Sequence, residues 1–140
     1  MDSARLQAEK SVLRSRLSSN IYHFDSPYSP NWIYFAARTN RGNIYTLNID
    51  LSNFPNNIPK VFVSKMLYTK TGERMDGPSA SMHTLTSENN CTRICHYGSQ
   101  SWTPRVSLYK VYVKCRLWLE MYEQHLETGK PIDYYLGHQR

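Results

Sequence analysis

GNIYTLNIDLSNFPNNIPKVFV, residues 42–63, holds two strand-like runs separated by a loop with two prolines. In the first run Ile44, Thr46, Asn48 and Asp50 fall on one side, and Tyr45, Leu47, Ile49 and Leu51 on the other. A period of two with one apolar side predicts a half-buried antiparallel strand. Pro55 and Pro59 cannot donate to a ladder, so SNFPNNIP (52–59) reads as a loop, and KVFVSKML (60–67) as the next strand. Upstream, WIYFAART (32–39) is rich in β-formers and ends at NRGN, where Gly42 is free to take positive φ. Short connections between the three runs predict a meander.

Helical signals flank the strands. Residues 3–18 place Leu6, Leu13 and Leu17 on one face, with Ser3 as the expected cap and Arg5, Lys10, Arg14 and Arg16 on the other faces. FDSPYSPNW (24–32) then stops regular structure with two prolines. The clearest helix follows Pro104: Leu108, Tyr112, Cys115, Leu119, Tyr122 and Leu126 form one apolar stripe, with Ser107 as cap and Gly129 and Pro131 as stop. Between Tyr68 and Gln100 periodicity fades, which predicts a long irregular stretch broken by short strands. The expected fold is a single α+β domain over residues 1–140: N-terminal helix, three-stranded meander with room for a fourth strand, long loop, and a helix packed on the sheet. Residues 130–140 read as a tail.

Composition narrows the function classes. The 140 residues are 40% hydrophobic and 20% charged, which suits one globular core. No apolar run approaches the roughly 20 residues of a membrane span, and the N-terminus lacks a signal-peptide core. Three cysteines do not make a disulfide framework and read as reduced thiols of the cytoplasm. A net charge of +6 favours acidic partners. Its tyrosines fall among apolar residues, however, rather than forming the stacking platform of a nucleic-acid binder.

NNCTRICHYGSQSWTP (89–104) carries the chemistry. His83, Cys91, Cys95 and His96 are donors of the kind zinc takes, but Cys-x-x-x-Cys with an adjoining histidine lacks zinc-site spacing. A buried, inert role suits Cys115, on the apolar stripe, better than Cys95, whose loop is polar. A nucleophilic role asks for basic surroundings that lower a thiol pKa, and Arg93, Arg105, His96 and His83 are the local candidates.

The order of these segments resembles the ubiquitin-conjugating enzymes, the UBC fold, in a diverged bacterial form, over roughly residues 1–129. Phe54, Pro55, Ile58 and Pro59 resemble the family's Tyr-Pro-x-x-Pro-Pro loop. ICHY (94–97) resembles its Ile-Cys-Leu, and Trp102 with Pro104 its Trp-x-Pro. The resemblance implies that Cys95 is the catalytic cysteine, with His83, His96 and Trp102 as supporting residues. Cys91 lies at a tighter spacing from His83 but lacks the Ile-Cys context. The family's His-Pro-Asn is reduced to His83-Thr84-Leu85, which leaves Asn89, Asn90 or backbone N–H groups as candidate oxyanion donors. His83 is then expected to be structural, bonding the loop backbone, rather than a general base. Trp102 is expected to pack the loop against the helix rather than touch substrate, and Glu88 to be solvated rather than to help an acceptor amine lose its proton. The family's additional C-terminal helices are absent from this reading.

WLEMYEQHLETG (118–129) and the terminal Gly-His-Gln (137–139) resemble bacterial members encoded in anti-phage defence islands. Those members accompany a cGAS-like nucleotidyltransferase of a cyclic-oligonucleotide (CBASS) system. This implies a thioester between Cys95 and the C-terminal glycine of a ubiquitin-like protein or of the nucleotidyltransferase, followed by transfer to an amine. An activating enzyme is a further expected partner, and no metal or cofactor is implied. The basic first helix is either a solvated face or the docking surface for such a partner. The competing expectation is a UBC-like binding module without catalysis, which the missing Asn favours and the retained Ile-Cys and Trp-x-Pro oppose.

Overall fold

A computed structural model describes residues 1–137. Helix α1 spans Ser3–Arg16. Its cap is Asp2 rather than Ser3: Asp2 has the extended backbone a cap needs (φ −78°, ψ 169°), and its carboxylate accepts the Arg5 N–H at 2.7 Å. Ser3 is already inside the first turn. Leu6 and Leu13 are buried as their spacing predicts, and Glu9 is buried with them.

The strands are β1 (Tyr22–Phe24), β2 (Trp32–Arg38), β3 (Ile44–Asp50), β4 (Val61–Val63), β5 (Thr84–Glu88) and β6 (Cys91–Ile94). They form one antiparallel sheet in the order β1-β2-β3-β4-β6-β5. The sheet is therefore larger than the three- or four-stranded meander expected. β1 escapes sequence reading because three residues are too few to show alternation. The β5–β6 hairpin is added beyond β4, with β6 rather than β5 as the neighbour of β4. β4 stops at Val63, short of the predicted end at Leu67. There the chain turns sharply, and Lys65 N–H reaches Val63 O at 2.7 Å.

Register aligns the apolar sides of neighbouring strands. Ile33 faces Ile49, which faces Val61, which faces Ile94, while Phe35 faces Leu47 and Leu47 faces Val63. All of these are buried, and each fully buried aliphatic side chain contributes about 1.5–3 kcal/mol. A one-residue slip would turn the whole row to solvent, so burial fixes the register.

Helix α2 (Leu108–Thr128) lies across this apolar face, with Tyr112 stacked on Phe35 at 4.7 Å between ring centres. Ser107 caps it through the Lys110 N–H, and Gly129 ends it in the left-handed region at φ 78°, both as read from sequence. Leu126, counted in the apolar stripe, is instead exposed at 38%. His125 takes the inward place in that turn, with Nε2 accepting the Lys70 N–H at 3.0 Å and Nδ1 meeting the Lys130 carbonyl at 2.9 Å.

A short helix α3 (Ile132–Gly137) follows, where only a tail was expected. Its fully buried Ile132 anchors it to the core. His138 and Gln139 of the terminal Gly-His-Gln lie outside the described residues.

Candidate functional site

Cys95 stands just after β6, where the sheet gives way to the loop leading to α2. Its backbone N–H donates to the His83 carbonyl at 2.9 Å, extending the β5–β6 pairing by one step. Cys95 is half-buried, as is Cys91, whereas Cys115 is fully buried. Burial pushes the Cys115 thiol far above its ordinary value, so it stays protonated and inert. Cys95 lines an open cleft of about 800 Å³, together with His83, His96, Tyr97, Lys114 and Trp118. Other walls come from Gly98 to Ser101, Leu117 on α2 and Leu136 on α3.

His83 is the hinge of this cleft. It adopts positive φ (51°), a conformation costly for most residues but visited several-fold more often by histidine and asparagine. Its carbonyl accepts both the Cys95 N–H and the Trp118 indole N–H, the latter at 3.1 Å. The indole is shared with the Met82 carbonyl, also at 3.1 Å. Trp118 itself is buried and stacks on Tyr122. Thus α2 holds the strand end that positions Cys95. His83 bonds the backbone of the cysteine loop through its carbonyl, while its ring Nε2 meets Asp133 Oδ1 at 2.6 Å, on α3.

His96 does not supply the positive charge expected beside the thiol. Burial lowers its imidazole to about 4; a bond to the Ile94 backbone opposes this in part, while the charges of Lys114 and Arg93 add to it. It is neutral at physiological pH, and its Nε2 is enclosed with no hydrogen-bond partner. The cation on this wall is Lys114, whose Nζ lies 4.0 Å from the centre of the Tyr97 ring. Its sequence signal was available: Lys114, Leu117, Trp118 and Met121 repeat at helical spacing beside the main stripe of α2.

Trp102 packs against the core and reaches the loop between β3 and β4. Its indole donates to Pro55 O at 3.0 Å, and its ring meets Phe54 and Tyr97 edge-on. The Phe54–Pro55 peptide is cis. The loop after Cys95 is therefore tied to the proline loop between β3 and β4 through Trp102, and to α2 through Tyr97 and Lys114. From the other side, the Arg5 guanidinium of α1 donates to Pro104 O and, at 2.8 Å, to Val106 O, while lying 5.0 Å from the Phe54 ring centre. Part of the basic face of α1 is thus occupied in holding this loop.

Asn89 and Asn90 lie elsewhere. Both have positive φ (53° and 56°) and form the tight turn of the β5–β6 hairpin. Asn90 lies five positions before Cys95, roughly 16 Å along an extended strand. Asn89 and Cys91 line a smaller hollow of about 200 Å³ with Trp32, Tyr34, Phe62 and Glu88. Neither asparagine is placed as an oxyanion donor for Cys95; they serve the turn, where positive φ is needed. Glu88 is half-exposed and pairs with Lys60 at 2.9 Å. Among the described residues, no three His, Cys, Asp or Glu side chains converge as a metal site, and no helix is long and apolar enough to cross a membrane. The structure thus gathers His83, Cys95 and His96 at one cleft, with Trp102 bracing the adjoining loop.

Comparison with protein-family models, characterised proteins and solved structures found no match for this α+β chain.

Proposed function

We propose that the chain is a UBC-like conjugating protein that carries its cargo as a thioester on Cys95. The observation that supports this reading most strongly is the joining of its two family-like motifs around an accessible thiol. Trp102 of the Trp-x-Pro segment bonds the carbonyl of Pro55 in the proline loop at 3.0 Å, and Cys95 at the head of the same segment lines the open cleft. The element order supports it too, with α1, an antiparallel sheet, the cysteine loop and a central helix in sequence.

In this reading the Cys95 thiolate attacks the activated C-terminal glycine carbonyl of a ubiquitin-like protein or of a cGAS-like nucleotidyltransferase. The old thioester bond breaks, the activating enzyme's thiolate leaves, and a new thioester stands on Cys95. A neutral amine then attacks the same carbonyl and the Cys95 sulfur leaves. A setting in cytoplasmic anti-phage defence goes with this proposal. A non-catalytic binding module is the second reading, favoured by the placement of Asn89 and Asn90 at the hairpin turn, remote from Cys95. Incubation with an activating enzyme, ATP and the candidate cargo decides between them. A reductant-sensitive adduct is expected, and its absence with every cargo would favour the binding module.

A further inference from the structure

The ring of His83 has no task in the sheet, which uses only its backbone carbonyl. That ring is nonetheless held firmly. Asp133 is docked on the 79–83 turn by its own backbone, with its N–H on Ser81 O at 2.8 Å, and its carboxylate meets His83 Nε2 at 2.6 Å. Fully buried Ile132 fixes the adjoining residue, so the carboxylate is presented from a rigid base although its own side chain is half-exposed. A carboxylate only accepts, so in the neutral ring Nε2 carries the proton and Nδ1 has the lone pair. The histidine is mostly enclosed (side chain 16% exposed), yet it lines the cleft that Cys95 lines.

We propose that His83 is the general base of the Cys95 centre, and that Asp133 is the positioning residue that fixes its tautomer and orientation. The proposal rests on the thioester reading of Cys95. As the acceptor amine attacks the thioester carbonyl, the C–N bond forms and the C–S bond breaks. The proton leaves the amine nitrogen for His83 Nδ1 and passes from there to the departing Cys95 sulfur. The products are an amide and a free thiol, so no other reactant is consumed. The remaining titratable and charged groups on the cleft walls are His96 and Tyr97 from the loop and Lys114 from α2, with Asp133 behind the ring. Among the described residues that line the cleft, Lys114 is the basic side chain besides the two histidines.

The test loads the full chain from a short Gly-Gly peptide thioester, locates the adduct by mass spectrometry, and follows its discharge to lysine amide between pH 5.5 and 9. His83→Asn keeps a residue suited to positive φ, and Asp133→Asn keeps a hydrogen-bonding group of the same shape. Loading on Cys95 is expected in all three proteins. Discharge is expected to fall about 100-fold or more in His83→Asn and to recover in part with added imidazole. In Asp133→Asn discharge is expected to fall about 10-fold, with the imidazole limb of the pH profile moved to lower pH. Equal discharge rates and unchanged pH profiles in loaded wild type and loaded variants would overturn the base assignment while leaving Cys95 as carrier. Failure of wild-type Cys95 to load at all would overturn both.

Discussion

At the scale of single residues, the cleft shows how a side chain's neighbours decide its charge. His96 adjoins Cys95 in sequence and looks like a cation, but an enclosed imidazole without a partner for Nε2 cannot afford the charge. Its value near 4 lies below the ordinary 6.5 or so of the unfolded chain. Between those values the unfolded state binds more protons, so the stability is present above about pH 6.5 and is lost as pH falls toward 4. The loss attributable to His96 is about 2 kcal/mol between pH 7 and pH 5. Urea unfolding of wild type and His96→Gln at those two pH values checks it: the variant is expected to show a smaller drop by about that amount. An equal drop would mean that the ring is protonated in the folded protein. Cys95, His83 and His96 were legible as candidates because their types stand close together in sequence. Asp133 was not, because its link to His83 spans 50 residues and depends on how α3 docks.

Elements were legible where they carry many periods of one pattern. β3 alternates over seven residues and appears with the face predicted, and α2 repeats over 21 and appears with the caps predicted and with its predicted stripe buried up to Tyr122. β1 and α3 are too short for a period, and the placement of β6 between β4 and β5 is a long-range pairing that no local pattern encodes. The Asn89-Asn90 pair had a local explanation, positive φ in a tight hairpin turn, that a search for oxyanion donors passed over. Buried Glu9 is a similar case, an acidic residue on the face of α1 assigned to leucines. One oxygen accepts the Leu108 N–H at 2.7 Å at the start of α2, and the other holds Arg5 at 2.8 Å. Removing it leaves a helix N–H and a guanidinium without their partner. Glu9→Ala is therefore expected to cost about 2–3 kcal/mol in denaturant unfolding. A change below about 0.5 kcal/mol would show that water replaces the carboxylate there.

Across the whole molecule, three separate parts brace the Cys95 segment, two on the loop after it and one on the strand end beside it. α1 holds the carbonyls of Pro104 and Val106 through Arg5, the proline loop accepts Trp102, and α2 pins His83 through Trp118. Such bracing fits a site that must present one thiol in a fixed place, and it makes the two half-exposed cysteines unequal. Cys95 opens on the larger cleft; Cys91 stands at the hairpin end beside the smaller hollow. The most direct test compares adducts formed by wild type, Cys95→Ser and Cys91→Ser with cargo, activating enzyme and ATP, on gels run with and without reductant. The expected result is a reductant-sensitive band for wild type and Cys91→Ser, and for Cys95→Ser a band that resists reductant but yields to hydroxide, as an ester does. A reductant-sensitive band that persists in Cys95→Ser and disappears in Cys91→Ser would contradict the assignment of Cys95.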